Sequence, residues 1–238
     1  MGGLSTGRSG LARRPCQNRS DALADHISYC ITRGRVIFLD VRQDSYFAIA
    51  TDSHHSWKPV FDGAIPLQAA PDLLALLRSR GALKSQLPDL SYLAPVDVKL
   101  PCDSVLERGY DRATITVSGL RKVAAAFIWS SLSLKLYGLE RTLLGLQRRR
   151  QHSTSDPDRA VHAAVTFHAC RRIVPIQPVC LIDSVSMAAY LRSEKISAEL
   201  IFGVQDDPFR AHCWVQTEDI LLNDSVHRVR SFVAVRRN

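Results

Sequence analysis

The 238-residue sequence lacks several patterns that would place it in a common class of protein. It has no run of eighteen apolar residues, so we expect no transmembrane helix. Its six cysteines do not fall in paired spacings, which argues against a disulfide framework and against a zinc site. HExxH, Walker A and Rossmann glycine motifs are also absent. We therefore expect a cytoplasmic protein with reduced thiols, no metal site and no tightly bound cofactor.

The chain is basic, with a formal net charge of +8, and 46% of its residues are hydrophobic. This apolar content is enough for one large core or two small ones. Lysine and arginine are concentrated between Arg121 and Arg159, where nucleic acid, an acidic peptide or a nucleotide could bind. A solvated basic face also explains the excess. We favour the solvated face and do not expect nucleic acid as a partner.

The first part of the chain divides into a tail and a small module. Residues 1–20 are rich in Gly, Ser and Arg without apolar periodicity, which predicts a disordered tail. The runs HISYCIT, VIFLDV and YFAIAT follow, and the two polar turns between them predict an antiparallel meander of three strands. Pro71 then starts a leucine-rich helix that Gly81 ends. We place this module at residues 21–95.

A linker and two helices are predicted next. Residues 96–113 contain proline and glycine but no periodic pattern, which is typical of a boundary between domains. Helical spacing predicts helices at 117–151 and 159–172. His162 and His168 lie on the second helix without a partner at a metal-ligand spacing, so we interpret them as ordinary helix histidines.

A cysteine stands at a predicted helix start. Pro175 and Pro178 disfavour helix before them, and the apolar spacing that follows predicts a helix beginning near Cys180. Free N–H groups and the positive end of the helix dipole would stabilise a thiolate there, the form that attacks carbonyl groups. A buried core helix whose first residue is a cysteine would give the same pattern.

A histidine and an aspartate follow on a predicted hairpin. Strands are expected at 200–204 and 211–217, and a loop at 217–219 would return the chain so that His212 lies opposite Asp224. A carboxylate beside an imidazole fixes its tautomer and stabilises its protonated form. A solvent-facing histidine and a turn aspartate are the alternative.

The strings CLIDSVSMAAYLRS, DDPFRAHCWV and LLND together resemble the B proteins of bacterial lasso peptide biosynthesis, which are leader peptidases. The resemblance covers about residues 155–225. It implies a papain/transglutaminase-like cysteine peptidase domain at 114–238, with Cys180 as nucleophile, His212 as acid and base, and Asp224 as its orienting partner.

One residue departs from that family. Position 213 is a cysteine, where the family more often has alanine. Strand alternation points Cys213 away from His212, so we predict a packed thiol and not a second nucleophile.

The N-terminal module resembles the winged-helix-like peptide-recognition domain of such maturation enzymes, through VIFLD and the following Tyr46-Phe47. The resemblance implies that a leader peptide adds as a strand to the sheet edge, with apolar pockets from the helix. The implied leader-binding residues are Tyr46, Phe47, Ala48, Ile49, Leu74 and Leu77. A meander that only packs on the catalytic domain is the alternative.

The two resemblances together predict an α+β protein with a recognition domain followed by a peptidase domain. The implied reaction cleaves the leader of a precursor peptide from its core, with ATP required in the reaction. The implied partners are that precursor and an asparagine-synthetase-like cyclase that closes the freed amine. The backbone N–H of Cys180 and the side chain of Gln177 are candidate oxyanion donors. Two alternatives remain: an acyltransferase or transglutaminase that uses the same three residues, and a non-catalytic basic protein that binds peptide or nucleic acid.

Overall fold

The computed structural model describes residues 22–50, 57–108, 115–148 and 156–238. It shows a mixed α/β fold with two small antiparallel sheets and helices. The tail predicted at 1–20 lies outside the described residues. Across the four described ranges, no helix is both long enough and apolar enough to span a membrane.

The first sheet is the predicted meander. Its strands are β1 (Ile27–Ile31), β2 (Arg35–Asp40) and β3 (Ser45–Ala50), in the order β1-β2-β3 and all antiparallel. The turn after β2 is stabilised by Asp40, whose Oδ1 accepts hydrogen bonds from the backbone N–H groups of Arg42 and Gln43 at 2.8 and 3.1 Å. The meander predicted from the three apolar runs is therefore confirmed.

Short helices cover one face of this sheet. They are α1 (Lys58–Phe61), a 3₁₀ turn at Leu67–Ala69, and α2 (Pro71–Ser79). Gly81 follows α2 with a φ of +64°, a left-handed conformation that glycine adopts without strain. The predicted helix start and stop are both confirmed. The apolar core between sheet and helices includes Val36, Phe38, Leu73 and Leu77.

The opposite face of the same sheet packs on the C-terminal part of the chain. Strand alternation sends Ile37 and Leu39 to this side, where they join the larger core together with Cys30 and Val41. β2 is therefore buried on both faces, and five of its six residues are buried. The meander lies between two apolar cores.

Three helices form most of the larger core: α3 (Val117–Arg148), α4 (Pro157–Arg171) and α5 (Cys180–Ser193). Asp156 caps α4 by accepting a hydrogen bond from the N–H of Arg159 at 3.2 Å. The helix predicted at 117–151 is present up to Arg148, with a kink at Gly138, where φ is 73° and ψ is −178°, and residues 149–151 lie outside the described residues. Only glycine adopts this backbone conformation at little cost.

The second sheet has the order β5-β4-β6, with β4 (Glu199–Gln205) in the centre, flanked by β5 (Arg210–Gln216) and β6 (Val233–Arg237). β4 and β5 were predicted from the sequence, whereas β6 and the one-turn helix α6 (Val226–Val229) before it were not. α5 packs on this sheet in the larger core, and a smaller cluster around Trp214 covers the rest.

The described part of the predicted linker, residues 96–108, contacts this second sheet. Val98 and Leu100 pack against the Trp214 cluster. Ser104 forms a parallel bridge with Leu221, and the carbonyl of Leu221 accepts the N–H of Val105 at 2.9 Å. Residues 109–113 of the predicted linker lie outside the described residues. The segment up to residue 108 thus packs alongside the C-terminal part.

Candidate active site

Cys180 is the first residue of α5, which confirms the predicted helix start. Val179 before it is extended, with φ −133° and ψ 125°, and provides no side-chain cap. The side chain of Val179 therefore does not occupy the free N–H groups of the first turn of α5. These N–H groups lie at the same end of the helix as Cys180. Half-buried Cys180 remains accessible from solvent.

The loop that leads into Cys180 is held by Arg171, the last residue of α4. Its guanidinium donates to the carbonyl oxygens of Val174 and Ile176 at 3.1 and 2.8 Å, and its Nε forms an ion pair with Asp183 of α5 at 2.6 Å. One side chain thus joins the end of α4, the loop and the first turn of α5. It fixes where α5 begins.

His212 lies in β5, opposite Gly203 of β4, and its Nε2 hydrogen-bonds to Oδ2 of Asp224. Both side chains are buried, with exposed fractions of 5% and 7%. Water therefore competes little for this hydrogen bond. Because Nε2 bonds the carboxylate, Nδ1 is the ring nitrogen left for Cys180.

The structure brings His212 and Asp224 together by a route other than the predicted hairpin. Residues 220–224 do not form a strand, and Gln216 bridges Leu221, one residue beyond the predicted pairing. If residues 220–224 continued as a strand in this shifted register, Asp224 would lie on the face of the sheet opposite to His212. The chain instead leaves the sheet after Leu222, and Asp224 approaches His212 from a loop.

Asp224 is held by several neighbours. The hydroxyl of Ser104 donates to its backbone carbonyl at 2.5 Å, and its Oδ1 accepts the N–H of Ser225 at 2.8 Å. His168 of α4 shares a hydrogen bond of 2.7 Å with the carbonyl of Leu222, two residues earlier. Burial lowers the pKa of His168, so the ring donates as a neutral imidazole. His168 thus has a structural partner, in keeping with the sequence interpretation.

Cys180 and His212 stabilise each other's charged forms. The Cys213 thiol and the His212 ring, both hydrogen-bonded to Cys180, lower the pKa of Cys180 to about 4, although burial opposes this. Burial also disfavours a protonated His212, but hydrogen bonds to Asp224 and Cys180 outweigh it and raise the pKa of His212. A thiolate beside an imidazolium is the expected state at neutral pH.

Cys213 is the packed thiol that strand alternation predicts, and it also lies against Cys180. Its side chain is buried, and its thiol hydrogen-bonds to Cys180. α5 packs on β5, and Ser184, one turn after Cys180, contacts the backbone of Cys213. The hydrogen bond to Cys180, followed by burial, raises the pKa of Cys213 well above its usual value. Cys213 therefore stays a neutral donor beside the Cys180 thiolate.

A polar network that the sequence analysis missed joins α5 to β5. The Ser184 hydroxyl, one turn after Cys180, donates to the Cys213 carbonyl at 2.9 Å. Asn223 donates to the Ser184 oxygen at 2.8 Å and accepts the N–H of Val215 at 2.7 Å. Asn223 thus holds helix, strand and the Asp224 loop together. The available signals were a serine four residues after Cys180 and an asparagine next to Asp224.

The proposed oxyanion residue Gln177 lies exposed in the loop before α5. Its side chain hydrogen-bonds to none of the described residues. The role predicted for it stays a prediction.

Tyr46 is the predicted leader-binding residue nearest to the site. Its ring meets that of Phe209, in the β4–β5 turn, edge to face at a centroid distance of 5.5 Å. Burial, followed by the proximity of Cys213, Asp44 and Cys180, raises the pKa of Tyr46. The hydroxyl is therefore protonated and lies near the thiols.

The other predicted leader-binding residues face in different directions. Phe47 points to the α2 side, where it stacks on Phe38 at a centroid distance of 4.7 Å. Ala48 is exposed and Leu74 half-buried, whereas Ile49 is buried and Leu77 has no exposed surface. The direct contact predicted for Leu77 does not fit this structure, because its side chain is enclosed in the apolar core. The six residues do not share one surface.

Metal binding has no obvious place in the described ranges. Among these residues, no group of three or more His, Cys, Asp or Glu side chains could hold an ion.

A protein-family model matches the part of the chain that contains Cys180, His212 and Asp224. Residues 124–237 match the family model of the transglutaminase-like superfamily. The chain therefore contains a transglutaminase-like domain. This superfamily includes cysteine peptidases and acyltransferases, and its domain is typically a Cys-His-Asp enzyme fold. No curated protein and no solved structure matches the chain. Cys180, His212 and Asp224 all lie within the matched part of the transglutaminase-like domain.

The low pKa of Cys180 predicts an unusual reactivity profile. Alkylation of Cys180 by iodoacetamide, followed by peptide mass mapping, is expected to keep its full rate at neutral pH and to fall to half near pH 4, because only the thiolate reacts. In protein unfolded by urea, the same thiol should titrate at about pH 8.5. A native profile that rises only at about pH 8 would contradict the thiolate–imidazolium pair.

Proposed function

We propose that the protein is a cysteine peptidase of lasso peptide biosynthesis, which binds the leader of a precursor peptide and cleaves it from the core. The observation that carries the chemistry is the Cys180 thiol, which lies at a helix start beside a buried His212–Asp224 pair that lowers its pKa. The choice of a lasso precursor as substrate rests on the resemblance of residues 155–225 and of the N-terminal module.

Acylation begins with attack of the Cys180 thiolate on the carbonyl carbon that joins leader to core. The N–H groups at the start of α5, including that of Cys180, would donate to the resulting oxyanion. The protonated His212 then gives its proton to the leaving amine of the core peptide. The products of this step are a leader thioester on Cys180 and a core peptide with a free amine.

Deacylation uses the same residues in reverse. His212, now neutral, takes a proton from a water molecule that attacks the thioester carbon. The Cys180 thiolate leaves, the leader departs as a carboxylic acid, and His212 is protonated again. Asp224 stabilises the imidazolium in both steps and holds the ring orientation.

The meander provides a surface for leader capture. β3 pairs with β2 on one side, and in the part of the chain that the structure describes no strand pairs with its other side. An extended leader could add there through backbone hydrogen bonds. Tyr46 of β3 lies near Cys180, so a leader held on this edge would raise the local concentration of the scissile bond at the thiol.

The proposal includes two participants. An asparagine-synthetase-like cyclase would receive the core peptide and close its new amine onto a side-chain carboxylate. ATP would be required in the coupled reaction. Both expectations follow from the resemblance, so the assay is run with and without each of them.

The test uses a synthetic leader–core precursor, incubated with the protein with and without ATP and cyclase, and followed by mass spectrometry. We expect leader acid and core peptide, or the cyclised core when cyclase is present. Intact precursor under every condition would overturn the peptidase proposal. If the leader is instead recovered joined to an added primary amine, the domain is an acyltransferase.

A further inference from the structure

Cys213 is a buried nucleophilic group that the proposed mechanism does not use. It is a free cysteine with an exposed fraction of 3% in the larger core cluster, and Cys180 packs against that same cluster, close enough for the two thiols to change each other's pKa. The backbone keeps the two residues close, because the Ser184 hydroxyl, one turn along α5 from Cys180, donates to the Cys213 carbonyl at 2.9 Å. Two thiols thus meet where α5 begins and β5 passes beneath it.

The two thiols have different properties. Cys180 is half-buried at the end of a helix and can be reached by a small solute, whereas Cys213 is enclosed. An accessible thiolate with a second thiol beside it is the arrangement found in proteins that react with peroxide, where the second cysteine resolves the oxidised first one. Burial does not prevent that second role, since the resolving thiol attacks only its neighbour.

We propose that Cys180 and Cys213 are a modification site for peroxides, at which the nucleophile is stored as a reversible Cys180–Cys213 disulfide. The Cys180 thiolate attacks one oxygen of hydrogen peroxide, the O–O bond breaks, and hydroxide leaves, giving a sulfenic acid. Cys213 sulfur then attacks the Cys180 sulfur, the S–O bond breaks, and water departs with the Cys213 proton. An external dithiol reduces the disulfide and restores both thiols.

Other cysteines in the described ranges are poorly placed for this reaction. Cys30 and Cys170 are buried in the larger core, and exposed Cys102 lies in the segment before Ser104. Neither the hydrogen-bond network at Ser184 nor the start of α5 includes them. Cys102 is therefore the matched control, and the inference needs only the geometry of the two thiols, whatever substrate the site cleaves.

The test treats the reduced full-length protein with one equivalent of hydrogen peroxide and maps its peptides without reduction. We expect a cross-linked pair of peptides that contain Cys180 and Cys213, with the mass of two hydrogens lost. Alkylation of Cys180 by iodoacetamide should disappear and return fully after dithiothreitol. Cys102→Ala should behave like the native protein.

Variants at position 213 separate a resolving role from simple proximity. In Cys213→Ala and in the near-isosteric Cys213→Ser, Cys180 should be trapped by dimedone as sulfenic acid. With more peroxide it should gain two oxygen atoms and lose reactivity that dithiothreitol cannot restore. Native protein that gives the same irreversible product with Cys213 still free, or that pairs Cys180 with another cysteine, would overturn the proposal.

Because these readouts are masses and thiol counts, they remain valid if the precursor is never cleaved. Failure of the peptidase proposal and failure of the disulfide proposal therefore give different results.

Discussion

Cys180→Ala is expected to abolish precursor cleavage, with a fall in kcat of at least about 10⁴-fold, while leader binding stays unchanged. The methyl group cannot attack a carbonyl, and the remaining oxyanion donors and the bound substrate supply only a residual acceleration. Cleavage is measured by mass spectrometry under single-turnover conditions. Binding is measured by the fluorescence anisotropy of a labelled leader peptide.

His212→Ala should lose activity to a similar extent, because it removes both the proton donor for the leaving amine and the cation that stabilises the thiolate. It should also slow alkylation of Cys180 at acidic pH, an effect on the thiol that does not depend on substrate. Exposed Cys102→Ala is the control for loss of a thiol as such and should cleave at the native rate.

The measurements of leader binding and of cleavage together also test the predicted division into two domains. If Cys180→Ala loses leader binding together with cleavage, the recognition domain at 21–95 and the peptidase domain at 114–238 do not act separately. Cleavage that persists in either variant would remove Cys180 or His212 from the mechanism.

Local sequence signals predicted much of the fold. The start of α5 at Cys180 follows from two prolines and apolar spacing, and the meander follows from three apolar runs separated by polar turns. Such features depend on residues within a few positions of one another. For the same reason the limits of α2 and α4 could be read from Pro71, Gly81 and Asp156.

The detail of the site depends on contacts between distant residues, which periodicity does not reveal. The contact between His212 and Asp224 was predicted, but the loop geometry that produces it depends on Asn223, which bonds Ser184 at a separation of 39 residues. The proximity of Cys213 to Cys180 was missed because strand alternation describes a sheet alone. It contains no information about where a helix end lies above that sheet.

The predicted leader-binding residues on β3, in the first sheet, show the same limit of strand alternation. Alternation separates Tyr46 from Phe47, but it cannot say which face will be covered. In this fold both faces are covered, by α2 on one side and by the larger core on the other. Phe47 and Ile49 therefore pack in the core under α2 and Tyr46 packs against the larger core near the thiols, whereas Ala48 stays exposed.

Gly203→Ala is expected to damage both stability and the site, although it adds a single methyl group. Gly203 lies opposite His212, and a Cβ there would lie 2.6 and 2.8 Å from two ring carbons of Trp214 and 3.0 Å from Cβ of Phe232. Carbon atoms do not approach so closely, so the indole would have to move. Overpacking of this kind typically costs about 1–3 kcal/mol.

The indole of Trp214 has little room to move. It has no exposed surface, and its Nε1 donates to Gln216 at 2.8 Å, whose side chain in turn donates to the carbonyl of Lys99 at 3.0 Å. Strain is therefore expected to pass to the His212 ring, whose centroid lies 6.2 Å from that of Trp214 and 5.1 Å from that of Phe232. A displaced imidazole would stabilise the Cys180 thiolate less, so the pKa of Cys180 should rise.

Urea denaturation of Gly203→Ala should show a free energy of unfolding lower by about 1–3 kcal/mol, and the alkylation profile of Cys180 should shift to higher pH. Gly145→Ala is the matched control. A Cβ at Gly145 lies 3.6 Å from the Trp129 ring, an ordinary contact, and alanine stabilises a helix by up to about 1 kcal/mol over glycine. Native stability together with a native alkylation profile in Gly203→Ala would show that Trp214 does not restrain His212. The position of His212 would then depend on its hydrogen bond to Asp224 and not on the packing of Trp214.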